Sequence, residues 1–427
     1  MARKVTQDKL AIHGGEPTVP KDFQFHTWPQ VGKDDEEMVL AALRQNNHTW
    51  GPHVELLTKE FAAWNGNKYC IPVNCGTAAL HMCVAGCNIG AGDEVITTAL
   101  SWTSSATCIL HHSAIPIFVD VDWDSMHMAP AAIEAAITDR TKGILVVHYW
   151  GVSCDMDAIT AIARKHNLKV IEDACQAHGA TFKGRKVGTL GHCAGFSLNQ
   201  NKNLCGGEGG FFVTDDPEIL DRGRAVMSFS DMRPAGAGRD YHQYGLGWKY
   251  GTSNLPAAFA LSQLRKLDKT NAWAIENWAR LDARLQGTPH LVRPFATAER
   301  PTNGYAYVLR TDPAYARKRG VPLSNLTNAV SKALAAEGTP FWRANWLLPA
   351  HGVFQGKNAF GKGAPWAFHA RPEISYALGQ WPVAQDCVDT CLWGINMHRP
   401  PNRDEQIDLL ARAVRRVYEN LDDVPVE

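Results

Sequence analysis

The sequence predicts an α/β fold, with a mostly parallel sheet in a large first domain and a smaller α+β domain after it. Three observations carry this reading. At 427 residues and 45% hydrophobic composition, the chain exceeds what one core usually holds. Between Tyr69 and Thr214, apolar segments of strand length alternate with segments of helical period, the rhythm of parallel strands joined by covering helices. A proline-marked break (Gly287-Thr288-Pro289, then Pro294 and Pro301) ends a long helical stretch and divides the chain into 1–287 and 288–427.

The elements follow in order. The stretch to about Thr27 is rich in Gly and Pro and reads as an arm. Residues 34–45 and 54–64 have helical period with acidic starts. Strands are expected at 69–73, 93–98, 115–120, 143–148 and 169–172, with helices at 77–85, 103–112, 130–137 and 156–166 between them. Two more strands, 192–198 and 210–214, complete the first domain's sheet. From 217 to about 284 the chain reads as helical, with a Gly-rich interruption at 236–251. The second domain holds a strand at 306–310, a helix at 323–336 and a terminal helix at 404–421.

Charge and composition exclude several classes. Lys plus Arg, at 43, equals Asp plus Glu, so there is no basic field for nucleic acid and no polybasic membrane patch. The longest apolar runs, such as 143–147, fall far short of a membrane span. The opening MARKVTQDKL lacks the apolar core of a secretory signal, so the expected compartment is the cytoplasm. The eleven cysteines form no C-x-x-C pair and read as small buried thiols. Cys83/Cys87 and Cys387/Cys391, each four apart, could share a helix face, but no matching His pair accompanies them and no metal is expected.

In a parallel sheet the ligand site lies beyond the carboxyl ends of the strands, and four features fall there. In Asn74-Cys75-Gly76-Thr77-Ala78, a strand ends, glycine turns the chain and a helix starts, which suits a phosphate. Ser101-Trp102-Thr103 puts an aromatic after the second strand, able to stack on a flat ring. Glu172-Asp173, followed by Gln176, delivers a carboxylate at a strand end, where it could hold a proton on a pyridine nitrogen. Ser197 ends another strand, and Lys202 follows five residues on, ahead of a Gly-rich return at 206–210. A partly desolvated lysine there could form a Schiff base. Singly, these features also read as a helix cap, a core tryptophan, a capping aspartate and a surface lysine. Together they stand in the order that one cofactor, pyridoxal 5'-phosphate (PLP), requires.

From about Trp28 to Asp268 the chain resembles the DegT/DnrJ/StrS family of sugar aminotransferases. The resemblance is carried by Gly76-Thr77-Ala78-Ala79-Leu80, Gly92-Asp93-Glu94-Val95, Ile117-Phe118-Val119-Asp120-Val121, His148-Tyr149 and Asp155-Met156-Asp157. Glu172-Asp173, Phe196-Ser197, Lys202, Gly207-Glu208-Gly209-Gly210, Ala257-Ala258 and Gln263-Leu264 continue it, while the chain after about Thr288 matches weakly. The resemblance implies PLP fold type I with a seven-stranded sheet, a smaller C-terminal domain, and a homodimer with active sites at its interface. It implies Lys202 as Schiff-base lysine and proton shuttle, and Asp173 on the pyridine nitrogen. It also implies Trp102 on the ring, Gln176 near the ring hydroxyl, and Gly76, Thr77, Ala78 and Ser197 at the phosphate.

Two positions depart from the family. Where it often has a Gly-aromatic-Asn-aromatic-Arg block, with the Asn reaching the partner's phosphate, this chain reads Gly247-Trp248-Lys249-Tyr250-Gly251. Lys249 is expected to neutralise phosphate charge in place of the Asn, and Gly251 leaves the Arg's role unfilled. The run Leu10-Ala11-Ile12-His13-Gly14-Gly15-Glu16-Pro17, with Trp28-Pro29, is similar to the branch that aminates keto-cyclitols, with aminohydroxybenzoate synthases nearby.

The implied reaction is a ping-pong transamination. Glu or Gln supplies the amino group and a keto sugar or keto cyclitol receives it, in amino-sugar or secondary-metabolite biosynthesis. Trp50, Gly51, His148, His398 and Arg399 are the candidate substrate contacts. Other PLP chemistry on the scaffold, such as dehydration, elimination or an aminohydroxybenzoate-type synthesis, stays open because fold does not fix reaction. A PLP-binding protein without catalysis is disfavoured by the intact Lys202 and Asp173, and a nucleotide-binding module by the missing Walker lysine.

Overall fold

The computed structural model describes residues 9–230, 245–343, 347–371 and 373–426. Its centre is a seven-stranded sheet. The first five strands are β1 (Tyr69–Val73), β2 (Glu94–Thr98), β3 (Ile115–Val119), β4 (Thr141–Val147) and β5 (Lys169–Asp173). A small hairpin, β6 (Thr181–Phe182) and β7 (Arg185–Lys186), precedes β8 (Cys193–Ser197) and β9 (Gly210–Thr214). The order across the sheet is β1-β9-β8-β5-β4-β2-β3. Only β9 runs against the others, pairing antiparallel with both β1 and β8. The remaining strands therefore end along one edge.

Alternation along the strands sorts their side chains onto two covered faces. Val95, Leu145 and Ile171 pack on one side with Leu80 and Ile109, from helices Gly76–Gly86 and Ser104–His111. Their chain neighbours Ile96, Ile144 and Val170 pack on the other side with Ile159 of helix Met156–Lys165. Burial of both faces explains why these strands read as apolar runs. Phe61 of helix Pro52–Asn65 stacks on Phe211 with ring centres 3.8 Å apart and closes the β8–β9 end.

A second, antiparallel sheet has the order β10-β11-β13-β12, from β10 (Leu291–Val292), β11 (Tyr307–Thr311), β12 (Trp342–Arg343) and β13 (Cys391–Gly394). Leu281, Leu326, Val330 and Val414 form its core with Tyr307 and Leu309. The N-terminal arm is tied down: buried Glu337 accepts from Ala11 N and Thr18 N, each at 2.9 Å, and from Arg416 at 3.0 Å.

The structure corrects the reading of Cys387 and Cys391 as helix neighbours. Cys387 lies in helix Pro382–Thr390, and Cys391 opens β13. What makes 391–394 a strand is its pairing with β11, some eighty residues earlier in the chain. Part of the expected Gly-rich interruption, residues 231–244, lies outside the described residues. Among the described residues, no helix is long and apolar enough to cross a membrane, and no group of three or more His, Cys, Asp or Glu could hold a metal.

Candidate active site

The strand ends surround a cavity of about 470 Å³, within the usual size for a small-molecule or cofactor site. At one end, β1 runs into the helix that starts at Gly76. A Cβ on Gly76 would stand 2.8 Å from Ser197 Cβ and 3.0 Å from Cys175 Sγ, so only glycine lets the turn lie against the end of β8. Thr77 Oγ1 is 2.8 Å from Ser104 Oγ, and both residues face the cavity with Ser197. This hydroxyl-lined helix start could hold an anion such as a phosphate. Ala78 lies outside the lining, and its N–H is directed at the Cys75 thiol at 3.4 Å.

Asp173 ends β5 and is 5% exposed. It caps no helix. Ser105 donates to its Oδ2 at 2.7 Å and Cys175 N–H to its Oδ1 at 3.1 Å, while Ser101 lies 2.8 Å from Ser105. The carboxylate is thus aimed into the cavity by a helix from another crossover. Gln176 accepts from Trp150 N–H at 2.9 Å, so the group it can offer a ligand is its NH2. Trp102, 53% exposed, lines the mouth.

Lys202 reaches the same space from the loop after β8. Its amine donates to the Tyr305 hydroxyl at 3.2 Å, and its carbonyl accepts from Trp28 Nε1 at 2.9 Å. Burial works against the ammonium, but Tyr305, Cys175 and Asp173 outweigh it and hold the amine above its ordinary value.

The remaining candidates lie elsewhere. His148 does not reach the cavity: it is fully buried behind β5, accepting Cys154 N–H on Nδ1 at 3.1 Å. The ring proton is therefore on Nε2, facing Glu172 at 2.9 Å. His398 is buried against the Gly304 carbonyl at 2.7 Å. Arg399 is buried beneath the Lys202 loop, bonded to Asn201, Asn203 and Tyr305. These three are corrected from substrate contacts to interior residues, because each is buried and the hydrogen bonds it makes are to groups within the chain, with His398 Nδ1 and Arg399 Nε making none among the described residues. Gly51 packs on Asn254, and Trp50, 44% exposed, is absent from this chain's cavity wall. Lys249 is exposed at the β1 edge, where Asn74 N–H bonds the Tyr250 carbonyl at 2.7 Å.

Tyr305, Trp150, Trp393 and Ser105 line the cavity without having been singled out from the sequence. Trp150 follows the His148-Tyr149 pair and stands at φ 56, in the left-handed region, which is uncommon for a residue other than glycine. Tyr305 and Trp393 come from the chain beyond the proline-marked break, where no local motif points to them.

The residues present fit PLP: a glycine-tight helix start for its phosphate, a strand-end acid, and a half-buried lysine on the same cavity. Residues 29–351 match the DegT/DnrJ/EryC1/StrS aminotransferase family, and the chain belongs to it, as a PLP-dependent aminotransferase of fold type I. It is 35% identical over 358 residues to L-glutamine:2-deoxy-scyllo-inosose aminotransferase of Streptomyces fradiae, covering 81% of this chain and 83% of that one. It is 38% identical over 315 residues to the spore coat polysaccharide biosynthesis protein SpsC of Bacillus subtilis, covering 72% and 80%. Among solved structures, 3-amino-5-hydroxybenzoic acid synthase superposes with a TM-score of 0.81 at 27% identity, over 92% of this chain and 98% of that one. DesV of S. venezuelae, solved in complex with a ketimine intermediate, gives 0.78 at 26% identity, over 90% and 94%.

Proposed function

We propose that this aminotransferase moves an amino group from L-glutamine or L-glutamate to a keto cyclitol or keto sugar, with Lys202 as its Schiff-base lysine. The observation that carries the assignment is that Lys202, Asp173 and the Gly76–Thr77 helix start open into one cavity. Bound PLP supplies an electron sink that makes the donor's α-hydrogen acidic. Gly76, Thr77 and Ser197 would hold the phosphate, and Trp102 would cover the ring. Asp173 would hold a proton at the pyridine nitrogen, while Gln176 would offer its NH2 to the ring hydroxyl. Lys202, on the same cavity, would be the group that moves a proton between the donor and the cofactor.

The free cyclitol is the favoured acceptor. The 2-deoxy-scyllo-inosose aminotransferases among the relatives support this choice. The working unit in this proposal is a cytoplasmic homodimer in which Lys249 serves the partner's phosphate. Its exposure beside the phosphate turn supports that role, and eleven free thiols suit a reducing compartment. The division into 1–287 and 288–427 is proposed as the domain boundary, supported by the second sheet starting at Leu291.

The test is the absorbance of PLP-loaded protein before and after L-glutamine or L-glutamate. The visible band should bleach to the amine form of the cofactor without any ketone, and then return on adding a keto cyclitol. A band unmoved by both donors would remove the transamination assignment. Lys202→Ala should lose the lysine-linked band altogether, and a band identical to wild type would remove Lys202 from its role.

A further inference from the structure

Lys202 is mounted on a buried scaffold that extends beyond the groups assigned above. Its Nζ donates to the Tyr305 hydroxyl at 3.2 Å and lies 5.1 Å from the centre of that ring. Tyr305 is 4% exposed, and its own N–H is fixed to Asn303 Oδ1 at 2.9 Å. Behind it lies Arg399, 1% exposed. The guanidinium donates to Asn201 O, Asn203 Oδ1 and Asn396 Oδ1, each at 3.0 Å, and to Tyr305 O at 3.3 Å. It thereby grips both residues that flank Lys202 and the residue that receives the lysine's N–H. Its carbon also stands 4.9 Å from the Trp28 ring centre and 5.5 Å from that of Tyr305.

A buried guanidinium with no carboxylate partner among the described residues is costly, and an apolar side chain would fill the space more cheaply. The arrangement makes sense through what its hydrogen bonds hold. The other titratable groups around Lys202 are Cys175 and Asp173 from the end of β5, with His178 beneath. Burial drives His178 toward its neutral form, so it adds no competing positive charge.

We propose that Tyr305 is a further catalytic residue, whose hydroxyl takes one N–H of Lys202 and fixes the direction of the amine, and that Arg399 is a positioning residue acting through Tyr305, Asn201 and Asn203. This rests on Lys202 being the Schiff-base lysine.

The experiment is a pH titration of the visible band of the PLP-loaded enzyme, read alongside the donor-only half-reaction. Tyr305→Phe keeps the ring and removes the hydroxyl. Without that acceptor the protonated nitrogen loses support, so the midpoint of the titration should fall by about one pH unit. The half-reaction should slow about tenfold while the half-saturating donor concentration stays within about twofold. Arg399→Lys, which keeps the charge but loses the fork, should shift the midpoint the same way. The double variant should go no further than Tyr305→Phe alone. A wild-type midpoint in Tyr305→Phe overturns the catalytic assignment. Fully additive shifts in the double variant overturn the claim that Arg399 acts through Tyr305. Failure of the underlying lysine assignment looks different: it would show as a lysine-linked band that survives Lys202→Ala.

Discussion

The hydroxyl of Ser105 donates to Asp173 Oδ2 at 2.7 Å, joining the helix after β2 to the carboxylate at the end of β5. Residues 68 apart in sequence thus share one proton network at the floor of the cavity. Removing the Ser105 hydroxyl costs a charge-assisted hydrogen bond, worth roughly 1.5–3 kcal/mol. Ser105→Ala should therefore weaken turnover by about ten- to a hundredfold. Asp173→Ala should lower it further while thermal stability changes little. Steady-state rates and melting temperatures on the same preparations check both.

At Gly76 a methyl group has nowhere to go, because Ser197 Cβ would be 2.8 Å away. Gly76→Ala should cost about 1–3 kcal/mol as an overpacked site, and should weaken PLP binding as the turn lifts. Gly352 is the control, since a Cβ there meets nothing within 4 Å. Its alanine variant should stay within about 0.5 kcal/mol of wild type. Denaturant melts and PLP titration separate the two variants.

Behind the site, Glu172 is fully buried. It accepts from His148 Nε2 at 2.9 Å and from the N–H groups of Gly188 and Leu190 at 2.7 and 2.8 Å, with Gly191 N–H also bonded. Burial alone would raise its pKa, but His148 and the backbone donors outweigh it and hold the carboxyl below its ordinary 4.5. A depressed folded pKa contributes stability above about 4.5 that is lost as pH falls through the folded value. The wild-type melting temperature should therefore drop on the acid side, and Glu172→Gln should flatten that limb. At neutral pH the variant should be about 3 kcal/mol less stable, since buried donors lose a charged acceptor. Thermal melts from neutral pH to below 4.5 measure both effects.

Lys249 stands where the family often has an asparagine. If it serves the partner's phosphate, Lys249→Ala should lower PLP affinity about tenfold, the scale of a charge-assisted contact, and the protein should sediment as a dimer. A monomer with full PLP affinity would refute shared sites.

Much of the large sheet and the PLP fold type were legible in the chain itself. Strands buried on both faces need apolar runs, and parallel strands need covering helices, so local composition carries the alternation from β1 to β9. The turn at Gly76, the acid ending β5 and the lysine after β8 were visible because each is tied to a strand end. Tertiary structure alone supplied Tyr305, Trp393 and Ser105, whose place at the cavity depends on packing across 68 to about 190 residues of chain and leaves no local pattern. It also decided the fate of His148, His398 and Arg399. A polar side chain beside a motif looks the same in sequence whether it faces a ligand or spends its hydrogen bonds inside the fold. Only the positions of its partners, set by long-range packing, tell the two apart.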